Sequence, residues 1–229
     1  MKKINLSLII ITRNCGLTLK STLQSAVNLV DEIVLVDDNS TDQTLAIAKQ
    51  YQAKVYNFKG SFGARKLFAL NKASGSWVLN LDSDEQLSKK LASEIKSVVS
   101  LPRETRRVKW GSQPSGYYLP YQNYCFNHPL HHGGENYRIL RLFKKESVVI
   151  NDDLIHEHFE LKKGRYSGKL RHKILHYSYR SIFQIVRKFT NYAALEARKK
   201  TKQGEKTSLK KIFIYPLHMF WARYFKDKG

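Results

Sequence analysis

The chain has 229 residues, 42% of them apolar and 12% aromatic; that is one large domain, or a domain with an appendage, and it excludes disorder along the whole length. Two cysteines, Cys15 and Cys125, give neither a disulfide framework nor metal-ligand spacing, and fit a reducing compartment. The net charge of +21 is uneven, with +16 of it in residues 161–229, which favours an anionic partner, nucleic acid or an acidic membrane face, over a merely solvated surface.

The start, "MKKINLSLIIITRN", has a basic tip and an apolar run too short for a signal peptide. No stretch approaches the ~20 apolar residues of a membrane span. The run "LSLIIIT" (6–12) is continuous and β-branched, the pattern of a strand covered on both faces in a parallel sheet. "GLTLKSTLQSAVNLV" places apolar residues at 19, 23, 26, 27 and 30, which is helical spacing. A second strand, Ile33–Val36, runs into an acidic turn, and a helix begins near Thr41–Asp42. "AKVYNF" reads as a third strand, "GARKLFALNKA" as a third helix and "GSWVLNLD" as a fourth strand. This alternation over about ninety residues predicts an α/β fold: an open, mostly parallel sheet flanked by helices.

Beyond about residue 100 the texture changes. "LPRETRRVKWGSQPSG" is polar, basic and marked by Pro and Gly, as a loop is. Residues 116–150 read as irregular β-structure rich in Tyr and His. From Ser181, Ile182, Ile185, Val186, Phe189 and Ala193 fall at helical spacing. The last segment sets Leu209, Ile212, Phe213, Phe220, Tyr224 and Phe225 against Lys210, Lys211, Arg223 and Lys226. That is an amphipathic, aromatic and basic helix with a kink expected at Pro216.

Two acidic clusters close predicted strands: Asp37-Asp38 after the second, and Asp82-x-Asp84-Glu85 after the fourth. Ligands of open parallel sheets bind outside the carboxyl ends of the strands. Packed carboxylates repel one another unless a cation neutralises them, and Mg²⁺ or Mn²⁺ commonly joins one or two carboxylates to a substrate's phosphates. An Asp-x-Asp at a strand end is therefore suited to hold a metal on a diphosphate. Helix capping is the alternative for both, by "DSDE" ahead of "QLSKKLASEI" and by Ser40, Thr41 or Asp42 ahead of the second helix.

The segments "LSLIIITRN", "DEIVLVDDNSTDQTLAIAKQYQAKVY", "GSFGARKLFALNKASGSWVLNLDSDEQL" and "IHEH" together resemble a family 2 inverting glycosyltransferase of the GT-A fold. More narrowly, the chain resembles bacterial lipopolysaccharide inner-core glucosyltransferases, densely over residues 5–95 and more loosely through "RLF", "HEH" and "ILHYSYRS". The resemblance implies a glycosyltransferase domain over 1–180, nucleotide-binding over 1–100 and acceptor-binding over 101–180, then a C-terminal amphipathic basic helical segment over 181–229. It implies that Thr12, Arg13 and Asn14 lie near the base of a nucleotide sugar, with Asp37 and Asp38 on the base or ribose. It implies that Asp82 and Asp84 hold Mn²⁺ or Mg²⁺ on the donor diphosphate, UDP-glucose, and that Lys66 faces the donor, although Leu67 replaces the polar residue often found next. It also implies that the family's C-terminal extension is cut short at "YFKDKG".

Inversion needs a general base that takes the proton of the acceptor hydroxyl. By the resemblance Glu157 of His156-Glu157-His158 is that base, with the histidines orienting it; spacing alone reads the three as a polar surface strand. Asp152, Asp153 and Glu135 are rival bases, and His131-His132-Gly133-Gly134 is either an acceptor loop or a surface turn. Arg138 and Arg141 alternate in "YRILRLF"; their guanidinium forks suit acceptor phosphate or diphosphate, or salt bridges to the acidic clusters. Trp77 and Trp110 read as packing residues, and Tyr177 and Tyr179 as neighbours of the acceptor.

The implied acceptor is a lipid-linked saccharide, the heptose of the lipopolysaccharide core. That places a cytoplasmic enzyme peripherally on the inner face of the bacterial membrane, held there by the basic aromatic tail. Packing of the terminal helix on the domain is the alternative. Two other functions compete: a transferase acting on polyisoprenyl phosphate or a capsule or cell-wall intermediate, and a basic nucleic-acid-binding protein. The second leaves the acidic strand ends unexplained, because carboxylates repel phosphate.

Overall fold

The run LSLIIIT forms strand β1 (Leu6–Thr12), with Leu6, Leu8, Ile9 and Ile10 fully buried. A computed structural model describes residues 5–100, 114–132, 137–151, 158–205 and 208–226 of the chain. After β1 the order is α1 (Gly16–Ala26), β2 (Glu32–Asp37), α2 (Thr44–Gln50), β3 (Lys54–Asn57), α3 (Phe62–Lys72) and β4 (Trp77–Asn80). A short β5 (Glu85–Leu87) and α4 (Lys89–Ser100) follow. Next come β6 (Gly116–Cys125), β7 (His128–Pro129), β8 (Arg138–Lys144), β9 (Val148–Asn151), β10 (His158–Leu161), β11 (Ser167–Lys169) and β12 (Ile174–Tyr179). Two helices, α5 (Ile182–Lys202) and α6 (Leu209–Trp221), come last.

Packing divides the chain into two units, Met1–Pro120 with Arg138–His176, and Tyr121–Tyr137 with Tyr177–Gly229. In the first unit the strands lie in the order β3-β2-β1-β4-β8-β6. The first four are parallel, as their helical crossovers require. Strand β8 adds antiparallel to β4, and β6 adds antiparallel to β8. The expected α/β open sheet is therefore present; its parallel part is the repeat legible in the first ninety residues.

Strands β2 and β3 extend the sheet on one side of β1, and the chain then returns to place β4 on the other. That reversal is a topological switch point, where α/β sheets bind ligands at strand carboxyl ends. The register pairs Thr12 with Asp37 and Ile9 with Asn80, so the acidic segments leave the sheet at the same end. Ile9, Val34, Val36, Ala69, Val78, Leu140 and Phe143 form one buried cluster that fixes α3 against this sheet. At the opposite end Gly75 donates its N–H to Ser7 Oγ at 2.7 Å. A Cβ there would stand 2.8 Å from the Ser7 backbone nitrogen, so only glycine allows β4 to start this close to β1.

In the second unit, rings stack in pairs: Tyr121 on Tyr137 at 5.0 Å, Tyr124 on Tyr177 at 4.5 Å and Tyr179 on Phe189 at 6.2 Å. Ser181 caps α5 by accepting from the Gln184 N–H, so this helix starts where its spacing predicts. Helix α6 runs through Pro216 and ends in a π turn, Ala222–Lys226. Its described residues are largely exposed, Phe213 and Leu217 at 69% and Trp221 at 56%. Among the described residues no helix is long and apolar enough to cross a membrane.

Candidate active site

The first acidic cluster is built by the β1–β2 register. Thr12 Oγ1 donates to Asp37 Oδ1 at 2.8 Å, and Asp37 also accepts from the Ser40 hydroxyl and amide. Asp37 is thus a buried turn carboxylate. Asn14 and Asn39 adopt left-handed φ of 49° and 53°, which Asn tolerates better than most residues. Asn14 Oδ1 accepts the Thr41 amide and the Asn14 amide donates to Ser40 Oγ, tying the two strand-end loops together. Asp38 is the cluster's second acid, also buried, with Arg13 at 3.2 Å and Arg65 at 3.6 Å from Oδ2. The five expected nucleotide-side residues, Thr12, Arg13, Asn14, Asp37 and Asp38, therefore form one cluster.

The second cluster follows β4. Asp82 Oδ2 lies 2.7 Å from Arg141 Nη2, and Oδ1 lies 3.8 Å from Lys66 Nζ. The same Arg141 nitrogen reaches Glu85 Oε1 at 2.7 Å. Glu85 Oε2 accepts the Asp82 amide at 2.9 Å, and the Glu85 amide donates to the Asp82 carbonyl at 3.1 Å. On β12, His176 is registered opposite Glu85 and its Nε2 stands 3.6 Å from Asp84 Oδ1. Burial alone would raise the Asp82 carboxyl, but the charges of Arg141 and Lys66 outweigh it and hold the group far below the usual carboxylate range. Glu85 is pushed up, first by burial. Burial would lower His176, but a hydrogen bond to Asp84 and the charges of Asp84, Glu85 and Asp82 raise it.

Helix α3 joins the clusters. Its consecutive residues Arg65 and Lys66 are 5% and 6% exposed, and one faces Asp38 while the other faces Asp82. Two buried cations in sequence are costly unless paired, so the acids and the helix require each other. The capping alternative fails for "DSDE": Ser88, not an acid, receives the Leu91 amide at the start of α4, and the first turn of α4 holds no acid. At α2 it succeeds in part, since Asp42 Oδ1 accepts the Thr44 amide.

Arg141 takes the ion-pair option that the sequence left open. Arg138 lies apart from it and donates to the Leu170 carbonyl at 2.6 Å. His158 pairs with Glu160 at 2.8 Å. Trp77 is buried and packs on Tyr117. Trp110, Gly133, Gly134, Glu135, Asp152, Asp153, His156 and Glu157 lie outside the described residues. Sequence reasoning missed Arg65 and His176. Arg65 directly precedes Lys66, and a helix places adjacent residues on different lines of approach; His176 depended on a long-range β5–β12 register that periodicity does not report.

Among the described residues no group of three or more His, Cys, Asp or Glu side chains is gathered as a ready-made metal cage. A Mg²⁺ or Mn²⁺ site shared with a diphosphate does not need one, since one or two carboxylates suffice. Asp82 is 34% exposed and Asp84 23%, so both carboxylates reach solvent, and carboxylate oxygens are the ligands such an ion takes.

Residues 7–148 match the family model described as glycosyl transferase family 2. An uncharacterized glycosyltransferase of Rickettsia felis is 31% identical, covering 98% of this chain and 80% of the relative. The lipopolysaccharide core biosynthesis glycosyltransferase LpsC of Rhizobium meliloti is 25% identical over 86% of this chain and 72% of its own. Among solved structures, glucosyl-3-phosphoglycerate synthase of Mycobacterium tuberculosis, crystallised with Mn²⁺ and UDP, shows a local likeness. It covers 35% of this chain and 33% of that one at 27% identity, with a TM-score of 0.33. With the family model spanning well over half of its length and a relative above 30% identity covering nearly all of it, the chain belongs to glycosyl transferase family 2.

Proposed function

We propose that the enzyme transfers a sugar, with inversion, from a nucleotide diphosphate donor bound at the carboxyl ends of β1, β2 and β4. The observation that supports this most is the pairing of Arg65 and Lys66 with Asp38 and Asp82, which sets buried cations beside strand-end acids at the switch point of the sheet. Asp38 and the Thr12–Asn14 segment bind the base and ribose, and Lys66 faces the diphosphate. Asp84, with Asp82 behind it, is the main ligand of Mg²⁺ or Mn²⁺. Asp82 is already engaged by Arg141 and Lys66, whereas Asp84 shares its oxygen with the weaker donor His176. When bound, the ion supplies positive charge to the departing diphosphate.

The acceptor hydroxyl attacks the anomeric carbon while a carboxylate removes its proton, and Glu157 is assigned that role. The donor is UDP-glucose and the acceptor a lipid-linked saccharide of the lipopolysaccharide core. The likeness to LpsC favours that acceptor over polyisoprenyl phosphate. The enzyme works from the cytoplasmic face of the membrane, held by α6. Its exposed Ile212, Phe213, Phe220 and Trp221 accompany Lys210, Lys211, Arg223 and Lys226. Rings bury at the interface and each cation adds about 1 kcal/mol near anionic lipid.

Asp84→Ala tests the site. Sugar transfer from UDP-glucose should fall at least about a thousandfold, the scale of losing a charge-stabilising group and its ion. Mn²⁺-enhanced UDP binding should vanish with the melting temperature unchanged. Retained activity in a folded variant removes Asp84 from the machinery.

A further inference from the structure

One guanidinium nitrogen of Arg141 bridges two carboxylates, 2.7 Å from Asp82 and 2.7 Å from Glu85. Arg141 and Glu85 are both buried, with side chains 6% and 1% exposed. Glu85 therefore has no route to a ligand arriving from solvent. Yet both of its carboxylate oxygens bear on Asp82: Oε1 holds the arginine that Asp82 holds, and Oε2 takes the amide of Asp82 itself. The Glu85 amide closes the same turn onto the Asp82 carbonyl. Asp84 is carried inside that turn, one residue before Glu85.

We propose that Glu85 is a positioning residue for cation binding: it closes the Asp82–Glu85 turn and takes up charge of Arg141, leaving Asp82 and Asp84 more negative charge for the cation. This rests on the reading of the site as one for a divalent ion and a nucleotide diphosphate. Charge decides the argument. Asp82, Asp84 and Glu85 face Lys66, Arg141 and His176, so removing the Glu85 charge makes the group one unit more positive and takes from Arg141 one of its two carboxylates. A cation is then drawn in less strongly, while an anionic diphosphate meets less repulsion. A purely structural ion pair predicts something else: its loss weakens every ligand alike or only the fold.

Glu85→Gln separates these roles through UDP affinity by calorimetry, with and without Mn²⁺. Mn²⁺-dependent UDP affinity should fall at least about tenfold, the order expected from removing one unit charge near a divalent ion at intermediate dielectric. UDP affinity in EDTA should stay the same or tighten. Equal losses in both conditions, or no loss in either, overturn the proposal. Where Glu85→Gln does not fold, Glu85→Asp keeps the charge but withdraws the carboxylate from the Asp82 amide. It should lose part of the Mn²⁺-dependent affinity and none of the metal-free affinity, and wild-type behaviour from it overturns the turn-closing role. Wild-type protein whose UDP affinity ignores Mn²⁺ would remove the metal-nucleotide reading itself, whatever the Glu85 variants do.

Discussion

Helix α3 buries charge, and helix α6 exposes hydrocarbon. In α3, Arg65 and Lys66 lie almost wholly inside the protein, where a lone cation costs several kcal/mol. In α6, Ile212, Phe213, Leu217, Phe220 and Trp221 are each more than half exposed, forgoing roughly 1.5–3 kcal/mol per side chain that burial would give. Both helices therefore depart from the arrangement that stabilises a fold best, and each departure points to something outside the fold. The buried cations of α3 face acids at strand ends, an arrangement suited to a small charged ligand. The exposed rings of α6 are flanked by Lys210 and Lys211 before them and by Arg223 and Lys226 after them, an arrangement suited to an apolar phase with an anionic edge.

The comparison breaks first at Lys66. Removing one member of a buried ion pair destabilises mainly through the charge it leaves unpaired, and here Asp82 keeps Arg141 as a partner. Lys66→Met should leave the melting temperature within a few degrees. It should weaken UDP binding by about a hundredfold, the scale of a lost charge-assisted contact of roughly 2–3 kcal/mol. Donor affinity that survives alongside a lower melting temperature would make the charges of α3 structural, and the contrast with α6 would disappear.

At the other pole, Phe220→Ala with Trp221→Ala probes what the exposed rings are for. Two partly inserted aromatics contribute roughly 2 kcal/mol together, so partition onto vesicles containing anionic lipid should drop by about thirtyfold. Thermal stability should not change, because both rings are exposed, Phe220 at 62% and Trp221 at 56%. A fall in melting temperature with unaltered partition would assign α6 to packing.

How far these two helices were legible in the sequence differs for physical reasons. The run of β1 and the helical periodicities of α1, α3, α5 and α6 are local, and they appear in the structure at or near their expected bounds. The acids after β2 and β4 were legible because an apolar run that stops in carboxylates is a local signal too. Of their partners, the sequence offers Arg141 as one of two readings, without the acid it meets, and His176 not at all. Arg141 reaches Asp82 from β8, 59 residues on, and His176 reaches Asp84 from β12; strand pairings at that separation leave no period in the sequence. The burial of Lys66 was equally hidden. Lysine normally sits on the surface, and only the sheet order, with β4 returning beside β1, puts an acid within its reach.

Another charge, Glu32, sharpens the contrast because it lies at the far end of the same strand as Asp37. Glu32 opens β2, and its carboxylate accepts from Ser7 Oγ, from the Ser74 amide and hydroxyl, and from Lys54 Nζ at 2.8 Å. Burial would raise its pKa, but the hydrogen bonds from Lys54, Ser7 and Ser74 outweigh it and bring the group from 4.5 down to about 2. A folded-state pKa below the unfolded value means that the unfolded chain takes up the proton first. The stabilisation is then complete above about pH 4.5 and fades as pH falls towards 2. Glu32→Gln keeps part of the hydrogen bonding, and Lys54 is itself half exposed, so the cost at neutral pH should be about 1 kcal/mol. Thermal melts across pH 2–7 should show the two proteins apart at pH 6 and converging by pH 2, with UDP affinity at pH 7 the same in both. If Glu32→Gln weakened UDP binding as Lys66→Met is expected to, proximity to the strand carboxyl ends would no longer separate a charge kept for a ligand from one kept for the fold.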